Sequence, residues 1–176
     1  MKYAGINLND TANGEGICVS FWVQGCPHHC EGCHNPETWS FDGGHDLPED
    51  YIEKILDKIS KNGIQRNFSV LGGEPLCPEN LALVDELVTN VRQTYPKIKI
   101  FLWTGYTLEQ LKLRCDQTIV HVLEQLDYLI EGPFILEQRD ITLKWRGSVN
   151  QRILNKNKLN DYLKNYYTKD KGEQRR

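Results

Sequence analysis

Residues 17–24 read ICVSFWVQ, and residues 25–35, which follow without a break, read GCPHHCEGCHN. The first segment is short and almost entirely apolar, which is typical of a strand buried on both faces of a parallel sheet. It leads directly into a loop that holds three cysteines, Cys26, Cys30 and Cys33. The sequence therefore predicts that its most reactive side chains lie at the end of a buried strand.

Further strand and helix patterns alternate along the chain. Strands are predicted at residues 67–71, 98–103 and 127–131, and helices at about 48–61, 79–94, from 107 onward and at 118–126. The third helix opens with a capping box, Thr107 to Gln110. This alternation predicts an α/β fold, with a mostly parallel sheet and flanking helices. With about four to six strands, we expect an open partial barrel that is too short to close as eight strands.

Three other loops with unusual residues also follow predicted strands. They are Gly72-Gly73-Glu74-Pro75, Thr104-Gly105-Tyr106 and Glu131-Gly132-Pro133. The carboxyl ends of parallel strands share one face of a sheet, so these loops are predicted to meet the cysteine loop at one ligand site. Gly-Gly-Glu-Pro alone suits a plain turn. Beside a metal site, however, its glycines would let the backbone approach a ligand, and Glu74 would suit an ammonium group.

Composition places the chain among ordinary globular proteins. It has 176 residues, of which 39% are hydrophobic and 26% charged, with 21 basic and 24 acidic side chains. These values argue against a largely disordered chain and against a nucleic-acid partner, which would favour a positive field. No apolar stretch approaches the roughly 20 residues of a membrane span, and the first residues lack the apolar core of a signal peptide. We therefore expect a cytosolic protein with no membrane partner.

The C-terminal residues 155–176 differ from the rest in charge. They carry seven basic and three acidic residues, a net charge of +4, which leaves −7 for residues 1–154. This segment offers few side chains for burial: Leu159, Tyr162, Leu163, Tyr166 and Tyr167. The pattern predicts a short terminal helix that frays into a basic polar tail, with a docking arm for an acidic partner as the alternative. We accordingly divide the chain into a main domain, residues 1–154, and this helix or tail.

The clustered cysteines indicate a metal or redox role. Cytosolic thiols stay reduced, so a disulfide is disfavoured, and the scattered Cys18, Cys77 and Cys115 are expected to be small buried hydrophobes. Zinc would need a fourth ligand, for which the sequence offers the neighbouring histidines His28, His29 and His34. Structural zinc sites usually pair two such motifs, and no second Cys/His pair is present. The segment 30–34 also matches the C-x-x-C-H of haem attachment, which would require export and leave Cys26 unexplained.

An iron–sulfur cluster is the third interpretation of the cysteines. Thiolates are soft ligands that suit iron in a sulfide cage. A four-iron cluster is usually held by four cysteines, one for each iron, so three cysteines would leave one iron open to bind a substrate. The spacing alone favours a cluster, while zinc and the absence of a metal remain as alternatives.

The combined motifs resemble the radical S-adenosylmethionine enzymes, in which C-x3-C-x2-C follows the first strand and a Gly-Gly-Glu-Pro-like segment follows the second. Within that superfamily the chain is similar to the glycyl-radical activating enzymes. The resemblance runs in family order from about residue 7 to residue 153. It is carried by residues 13–16, 24–39, 72–76, 103–106, 131–134 and 145–152.

The resemblance implies an open partial (β/α) barrel of the radical S-adenosylmethionine type. It also implies a [4Fe-4S] cluster held by three catalytic cysteines, Cys26, Cys30 and Cys33, with S-adenosylmethionine bound at the open iron. Reductive cleavage would give a 5′-deoxyadenosyl radical that takes a hydrogen atom from a glycine of a partner enzyme. The implied cofactor-binding residues are Gly32, Cys33, His34, Asn35, Gly72, Gly73, Glu74, Thr104 and Glu131.

The resemblance also implies partners and supporting residues. The partners would be the catalytic subunit of the anaerobic ribonucleoside-triphosphate reductase and a flavodoxin-like electron donor, and a homodimer is left open. Asn35 and Trp39 would support the cluster loop. Arg146, Gln151 and Arg152 would meet the partner or the substrate carboxylate.

One position departs from the superfamily pattern. Many members carry an aromatic residue before the third cysteine, where this chain has Gly32, so the backbone of residues 32–34 is expected to contact the adenine. Three alternative functions follow from the sequence. They are activation of another glycyl-radical enzyme such as pyruvate formate-lyase, 7-carboxy-7-deazaguanine synthesis, and a zinc-stabilised binding module without catalysis.

Overall fold

A computed structural model describes the backbone of residues 1–173 and the side chains of residues 1–164. Within them a seven-stranded sheet forms the centre of the molecule. Its strands are β1 (Lys2–Asp10), β2 (Cys18–Val23), β3 (His45–Asp46), β4 (Asn67–Gly72), β5 (Ile100–Thr104), β6 (Tyr128–Glu131) and β7 (Arg152–Asn155). They lie side by side in the order β3-β1-β2-β4-β5-β6-β7.

Five α-helices flank this sheet in the described residues. They are α1 (Tyr51–Ser60), α2 (Pro78–Thr94), α3 (Leu108–Leu113), α4 (Gln117–Gln125) and α5 (Lys156–Glu173). The predicted capping box is present, because the Thr107 side chain accepts from the backbone of Gln110 while the Gln110 side chain accepts from the backbone of Thr107. None of the described helices is both long and apolar enough to cross a membrane.

The strand directions confirm an open, mostly parallel α/β sheet. Neighbouring strands β2, β4, β5 and β6 are parallel, whereas β1 and β7 run against them. Strand β3 is antiparallel to β1 and so shares the direction of β2, which makes five of the seven strands parallel. The sheet does not close, since β3 and β7 are its edges. The expected number of about four to six strands was wrong, because β1, β3 and β7 lack an apolar run.

The two faces of the sheet carry different side chains, because successive residues of a strand point to opposite sides. One face packs against the helices and is aliphatic and aromatic. It supplies Val19, Phe21, Val23, Phe68, Val70, Ile100 and Leu102 to the core, together with residues of α1, α2 and α4. The alternating positions include Ser20, Ser69, Leu71 and Trp103, and Leu71 and Trp103 line a cavity on the other face. The fold therefore leaves one face of its sheet available for a site.

An aromatic cluster fills part of this second face. The rings of Phe101 and Tyr128 stack with centroids 5.1 Å apart, and the Trp145 ring meets both edge-on. The Trp103 indole donates to the backbone carbonyl of Trp145 (2.8 Å), and the Trp145 indole donates to the carbonyl of Gly14 (3.1 Å). These contacts hold the segment that follows β6 against the sheet.

The predicted C-terminal helix is present as α5, but with 18 residues it is longer than the short helix expected. Leu159 and Leu163 are buried in the main core, so the first turns of α5 belong to the packed fold. The side chains of Tyr166 and Tyr167 and the predicted fraying at the end of the chain lie outside the described residues. The division of the chain at residue 155 stays a prediction.

Arg66 joins α1 to β1 through a buried guanidinium group. It is only 5% exposed, and its Nη1 donates to the carbonyls of Lys58 (3.4 Å), Lys61 (3.0 Å) and Ile64 (3.0 Å). Its Nε and Nη2 both donate to Oδ1 of Asn9, at 3.2 and 3.0 Å. Hydrogen bonds from a charged group contribute more than neutral ones, and the partners of a removed donor stay buried and unpaired.

We expect Arg66→Met to lower the free energy of unfolding by about 2–4 kcal/mol. Methionine keeps an apolar stem of similar length but donates no hydrogen bond, so the change isolates the guanidinium. Urea unfolding monitored by circular dichroism measures the effect, with the exposed Lys61→Met as control. Equal stability of the two variants would show that the Arg66 network contributes nothing to stability.

Candidate metal centre

A cavity of about 600 Å³ lies where β2, β4 and β5 end. Small-molecule sites usually enclose roughly 300–1,000 Å³, so this volume suits a cofactor or substrate. Its walls come from four loops, one after each of the parallel strands β2, β4, β5 and β6. The predicted convergence of these loops is therefore confirmed.

The three clustered cysteines lie together on this cavity. Cys26, Cys30 and Cys33 all line it, and all three are free thiols. Cys26 is buried, whereas Cys30 and Cys33 are half-buried. The backbone N–H of Cys33 donates to the carbonyl of Cys30 (3.1 Å), and the Cys33 sulfur accepts from the backbone N–H of Asn35 (3.4 Å). The cysteine loop thus presents three soft donors to one space.

The base of the cysteine loop is fixed by backbone hydrogen bonds. The N–H groups of Gly25 and Cys26 donate to the carbonyls of Thr38 (2.8 Å) and Trp39 (3.0 Å), which closes residues 25–39 into a loop. Asn35 accepts at its carbonyl from both the backbone and the hydroxyl of Thr38. These contacts tie the backbone of Asn35 and Trp39 to the loop, and the supporting roles expected of their side chains stay predictions.

Two buried amides anchor the loop further, and neither was expected from the sequence. Gln24 donates to the carbonyls of Glu37 (3.1 Å) and Ser40 (2.7 Å). Asn80, at the start of α2, donates to the carbonyls of Gln24, Gly25 and Glu74 at 3.0–3.2 Å. The only sequence signal was a polar side chain in an otherwise apolar run, which identifies no partner.

Burial governs the charge of two of the unligated thiols, Cys26 and Cys30. It raises the pKa of Cys26 to about 11 and also raises the pKa of Cys30. Without a metal, these two thiols are protonated at neutral pH, because a buried thiolate is poorly solvated. A bound cation reverses this preference, because coordination deprotonates a thiol.

The donor set of the cysteine loop is compatible with an iron–sulfur cluster. Within the described residues, no three His, Cys, Asp or Glu side chains converge as the ligands of one metal ion. In a cluster the sulfur atoms can lie further apart than around a single ion, because each thiolate binds its own iron atom. Three free thiols around a cavity therefore fit an iron–sulfur cluster by the chemistry of their donor set.

Glu74 is the most heavily hydrogen-bonded side chain of the site. It is 1% exposed, and its Oε1 accepts from the Leu76 backbone (2.8 Å) and the Thr104 hydroxyl (2.7 Å). Its Oε2 accepts from the Gly105 backbone (2.7 Å) and faces Nε2 of His28 at 3.0 Å. A carboxylate has about four lone-pair positions, and all of them have protein partners here.

These contacts give Glu74 a structural task, and its expected role toward an ammonium group stays a prediction. The carboxylate joins the cysteine loop through His28, the loop after β5 through Thr104 and Gly105, and the approach to α2. Each of its two oxygens already has two protein partners. These contacts favour a role in holding three walls of the cavity together.

The glycines beside Glu74 allow these loops to touch. A Cβ atom on Gly73 would lie 2.2 Å from the carbonyl oxygen of Gly25, so the backbones of the two loops pack directly together. A Cβ on Gly105 would lie 2.5 Å from the His28 ring. Side chains at Gly73 or Gly105 would therefore separate the walls that Glu74 joins.

Most of the predicted site residues line the cavity. Besides the cysteines they are Gly32, His34, Asn35, Gly72, Gly73, Glu74 and Thr104, and Arg146 and Gln151 line it as well. Glu131 does not. It is buried, accepts from the backbone N–H of Leu108 at the start of α3 (3.0 Å), and pairs with Arg152, which also lies outside the cavity.

Two buried donors on cavity-lining residues have no acceptor among the described residues. They are the indole N–H of Trp39 and the Nε of Arg146, whose Nη1 donates to the Gln151 carbonyl (3.0 Å). Buried donors are normally paired, so each such atom needs an explanation. A bound molecule that brings its own acceptors would satisfy them.

Sequence comparisons identify the family. The chain matches the family described as a 4Fe-4S single cluster domain over residues 12–154. It is 41% identical over 145 residues to the anaerobic ribonucleoside-triphosphate reductase-activating protein of Vibrio cholerae, which covers 82% of this chain and 91% of the relative. The protein of the same name from Pasteurella multocida is 38% identical over 154 residues, which are 87% of this chain and 96% of the relative. The one from Enterobacteria phage T4 is 35% identical over 155 residues, which are 87% of this chain and 93% of the relative. The chain therefore belongs to the family of anaerobic ribonucleoside-triphosphate reductase-activating proteins.

Proposed function

We propose that this protein is a radical S-adenosylmethionine activase with the open sheet as its partial barrel. It reductively cleaves S-adenosylmethionine at a [4Fe-4S] cluster and uses the 5′-deoxyadenosyl radical to install a glycyl radical on the anaerobic ribonucleoside-triphosphate reductase. The observation that carries the proposal is the placement of three free thiols, spaced C-x3-C-x2-C, on a cavity lined by the loops after β2, β4, β5 and β6. The names of the relatives support the choice of reductase.

In this proposal Cys26, Cys30 and Cys33 hold the cluster. The bound cluster would supply one-electron chemistry: an electron from a flavodoxin-like donor would reduce the sulfonium of S-adenosylmethionine, giving methionine and the 5′-deoxyadenosyl radical. The protein keeps the three sulfurs in place through the loop anchors, Gln24 and Asn80. The electron donor, a homodimer and a cytoplasmic location stay predictions.

The polar groups of the cavity suggest how the methionine end is bound. Gly73 lines the cavity, and its backbone carbonyl would suit the amino group. Arg146 offers a cationic donor for the carboxylate, as its unpaired Nε supports. The backbone of residues 32–34 is left for the adenine, because Gly32 and His34 line the same space.

Aromatic rings in the cavity wall would help to keep water out. Trp103 of β5, and Phe134 and Trp145 of the segment after β6, all line the cavity. Removal of water strengthens the electrostatic contacts inside a site and protects reactive intermediates from side reactions. The aromatic wall therefore suits radical chemistry.

Partner choice tests this function. The reconstituted protein is reduced, supplied with S-adenosylmethionine and mixed separately with the anaerobic reductase and with pyruvate formate-lyase. We expect the electron paramagnetic resonance doublet of a glycyl radical on the reductase only. A doublet on pyruvate formate-lyase alone would assign the chain to another glycyl-radical enzyme, and the absence of S-adenosylmethionine cleavage would refute radical chemistry.

Glu131→Gln should affect stability rather than chemistry. The buried carboxylate of Glu131 pairs with Arg152, its direct neighbour across β6 and β7. We expect the loss of this charge to lower the free energy of unfolding by about 1–3 kcal/mol. Cleavage of S-adenosylmethionine by the folded variant should stay within about twofold of wild type, because Glu131 lies outside the cavity. If Glu131→Gln instead weakened the affinity for S-adenosylmethionine and left stability unchanged, Glu131 would be a cofactor-binding residue.

A further inference from the structure

A second, shallower groove adjoins the cavity. This rim groove is lined by Glu137, Gln138, Arg139, Asp140, Ile141 and Val149. Arg139, Asp140 and Ile141 line the cavity as well, so the groove and the cavity form one continuous surface. Any chain that enters the cavity from this side must pass over the rim groove.

The rim groove exposes branched apolar side chains. Ile141 is 85% exposed and Val149 is 58% exposed, although the described chain buries most of its large aliphatic residues. Exposed apolar side chains that cluster beside a site, with polar residues around them, mark surfaces that bind a partner.

Backbone hydrogen bonds hold these side chains in place. The N–H of Val149 donates to the carbonyl of Gln138 (2.9 Å), and the N–H of Asp140 donates to the carbonyl of Gly147 (3.1 Å). Arg139 and Ser148 form a β-bridge between them. The two sides of the groove are thus paired with each other, which lowers the ordering cost when a partner binds.

Arg139 adds an available cation to the groove. Its exposed guanidinium has no hydrogen bond or ion pair with any described residue, and it lies on the surface shared by groove and cavity. Arginine is enriched at protein interfaces, where its planar group binds carboxylates and backbone carbonyls. The groove combines two exposed branched side chains with an unpaired arginine and with polar residues around them, among them Glu137 and Asp140. This mixture of apolar and polar contacts suits an extended polypeptide.

We propose that the rim groove binds the segment of the reductase that carries the reactive glycine. The inference rests on the proposed function, because a radical formed in the cavity must meet the Cα–H of a glycine held close by. The segment lies extended across the groove, with its apolar side chains on Ile141 and Val149 and its polar groups at Arg139. The glycine then reaches into the cavity, since the absence of a side chain permits close approach.

Val149→Asp tests the groove, because Val149 lines the groove but not the cavity. Binding of the cluster-loaded chain to the full-length catalytic subunit of the reductase is measured by biolayer interferometry without S-adenosylmethionine. We expect Val149→Asp to raise Kd about tenfold or more, since an aspartate would be desolvated on an apolar contact. Leu113→Asp is the matched control: Leu113 is 83% exposed and lines neither groove nor cavity, so its Kd should equal that of wild type.

A second readout separates the groove from the chemistry. Cleavage of S-adenosylmethionine by dithionite-reduced protein, without reductase, should be the same in wild type, Val149→Asp and Leu113→Asp. If reductase binding depends on Val149 but the wild-type protein does not cleave S-adenosylmethionine, the rim groove is supported as a binding surface and the proposed function is refuted. Three results would refute reductase binding at the rim groove. They are an unchanged Kd in Val149→Asp, an equally raised Kd in Leu113→Asp, and no binding of the wild-type chain to the reductase.

Discussion

Replacement of Cys26, Cys30 or Cys33 by alanine is expected to abolish cleavage of S-adenosylmethionine and to lower bound iron from about four atoms per chain to less than about one. Each thiolate would hold one iron atom, and no other free thiol lines the cavity among the described residues. The loss should exceed about a hundredfold in rate, because no alternative ligand stands close enough to substitute. Anaerobic reconstitution, iron analysis and chromatography of 5′-deoxyadenosine measure it.

Cys115→Ala is the matched control for these variants. Cys18 and Cys77 are buried as expected, but the expected burial of Cys115 was wrong, because the side chain lies at the exposed end of α3. Cys115 is a free thiol outside the cavity, so its removal should leave iron content and cleavage at wild-type values. Thermal unfolding of the metal-free proteins checks that the alanine variants still fold. Full cleavage in any one of Cys26→Ala, Cys30→Ala or Cys33→Ala would remove that residue from the ligand set.

Glu74→Gln is expected to produce the second largest effect, on both stability and activity. A glutamine keeps the size of the side chain but turns one acceptor oxygen into an NH₂ group, which then faces two hydrogen-bond donors. We expect the free energy of unfolding to fall by about 2–4 kcal/mol, because several buried donors lose their acceptor. Cleavage should fall at least about tenfold, since displacement of loops by a fraction of an ångström disturbs a site.

The exposed Glu49→Gln is the control, and it should match wild type in both assays. The comparison also separates two roles for Glu74. Lower stability and poorer iron incorporation would support its role in joining His28 to the loop of Thr104 and Gly105. Unchanged stability with weaker binding of S-adenosylmethionine would instead favour the carboxylate as the ligand of the amino group.

The central strands were predictable because their patterns depend on local sequence. The apolar run at residues 17–24 forms β2 at Cys18–Val23, and the run at 67–71 forms β4 at Asn67–Gly72. β1 and β7 were missed because their side chains are only partly buried and their pairing depends on distant neighbours. A four-residue strand such as β7 carries no periodic signal of its own.

The same limit applies to the candidate site. The rule that ligands bind at strand ends placed the cysteines, Gly73 and Thr104 on the cavity, and the structure brings them together there. The rule also selected Glu131, whose partner Arg152 belongs to the unforeseen β7. The contacts of Glu74 were hidden for a similar reason, since three of its four donors come from residues 28, 104 and 105.

Electron paramagnetic resonance of the reduced protein, before and after addition of S-adenosylmethionine and then of the reductase, tests the central claim of an iron atom left open by three cysteines. The account predicts a cluster signal that changes when S-adenosylmethionine is added, followed by a glycyl doublet on the reductase. A cluster signal that S-adenosylmethionine leaves unchanged, with no doublet, would show that all four irons are already ligated and would contradict the account.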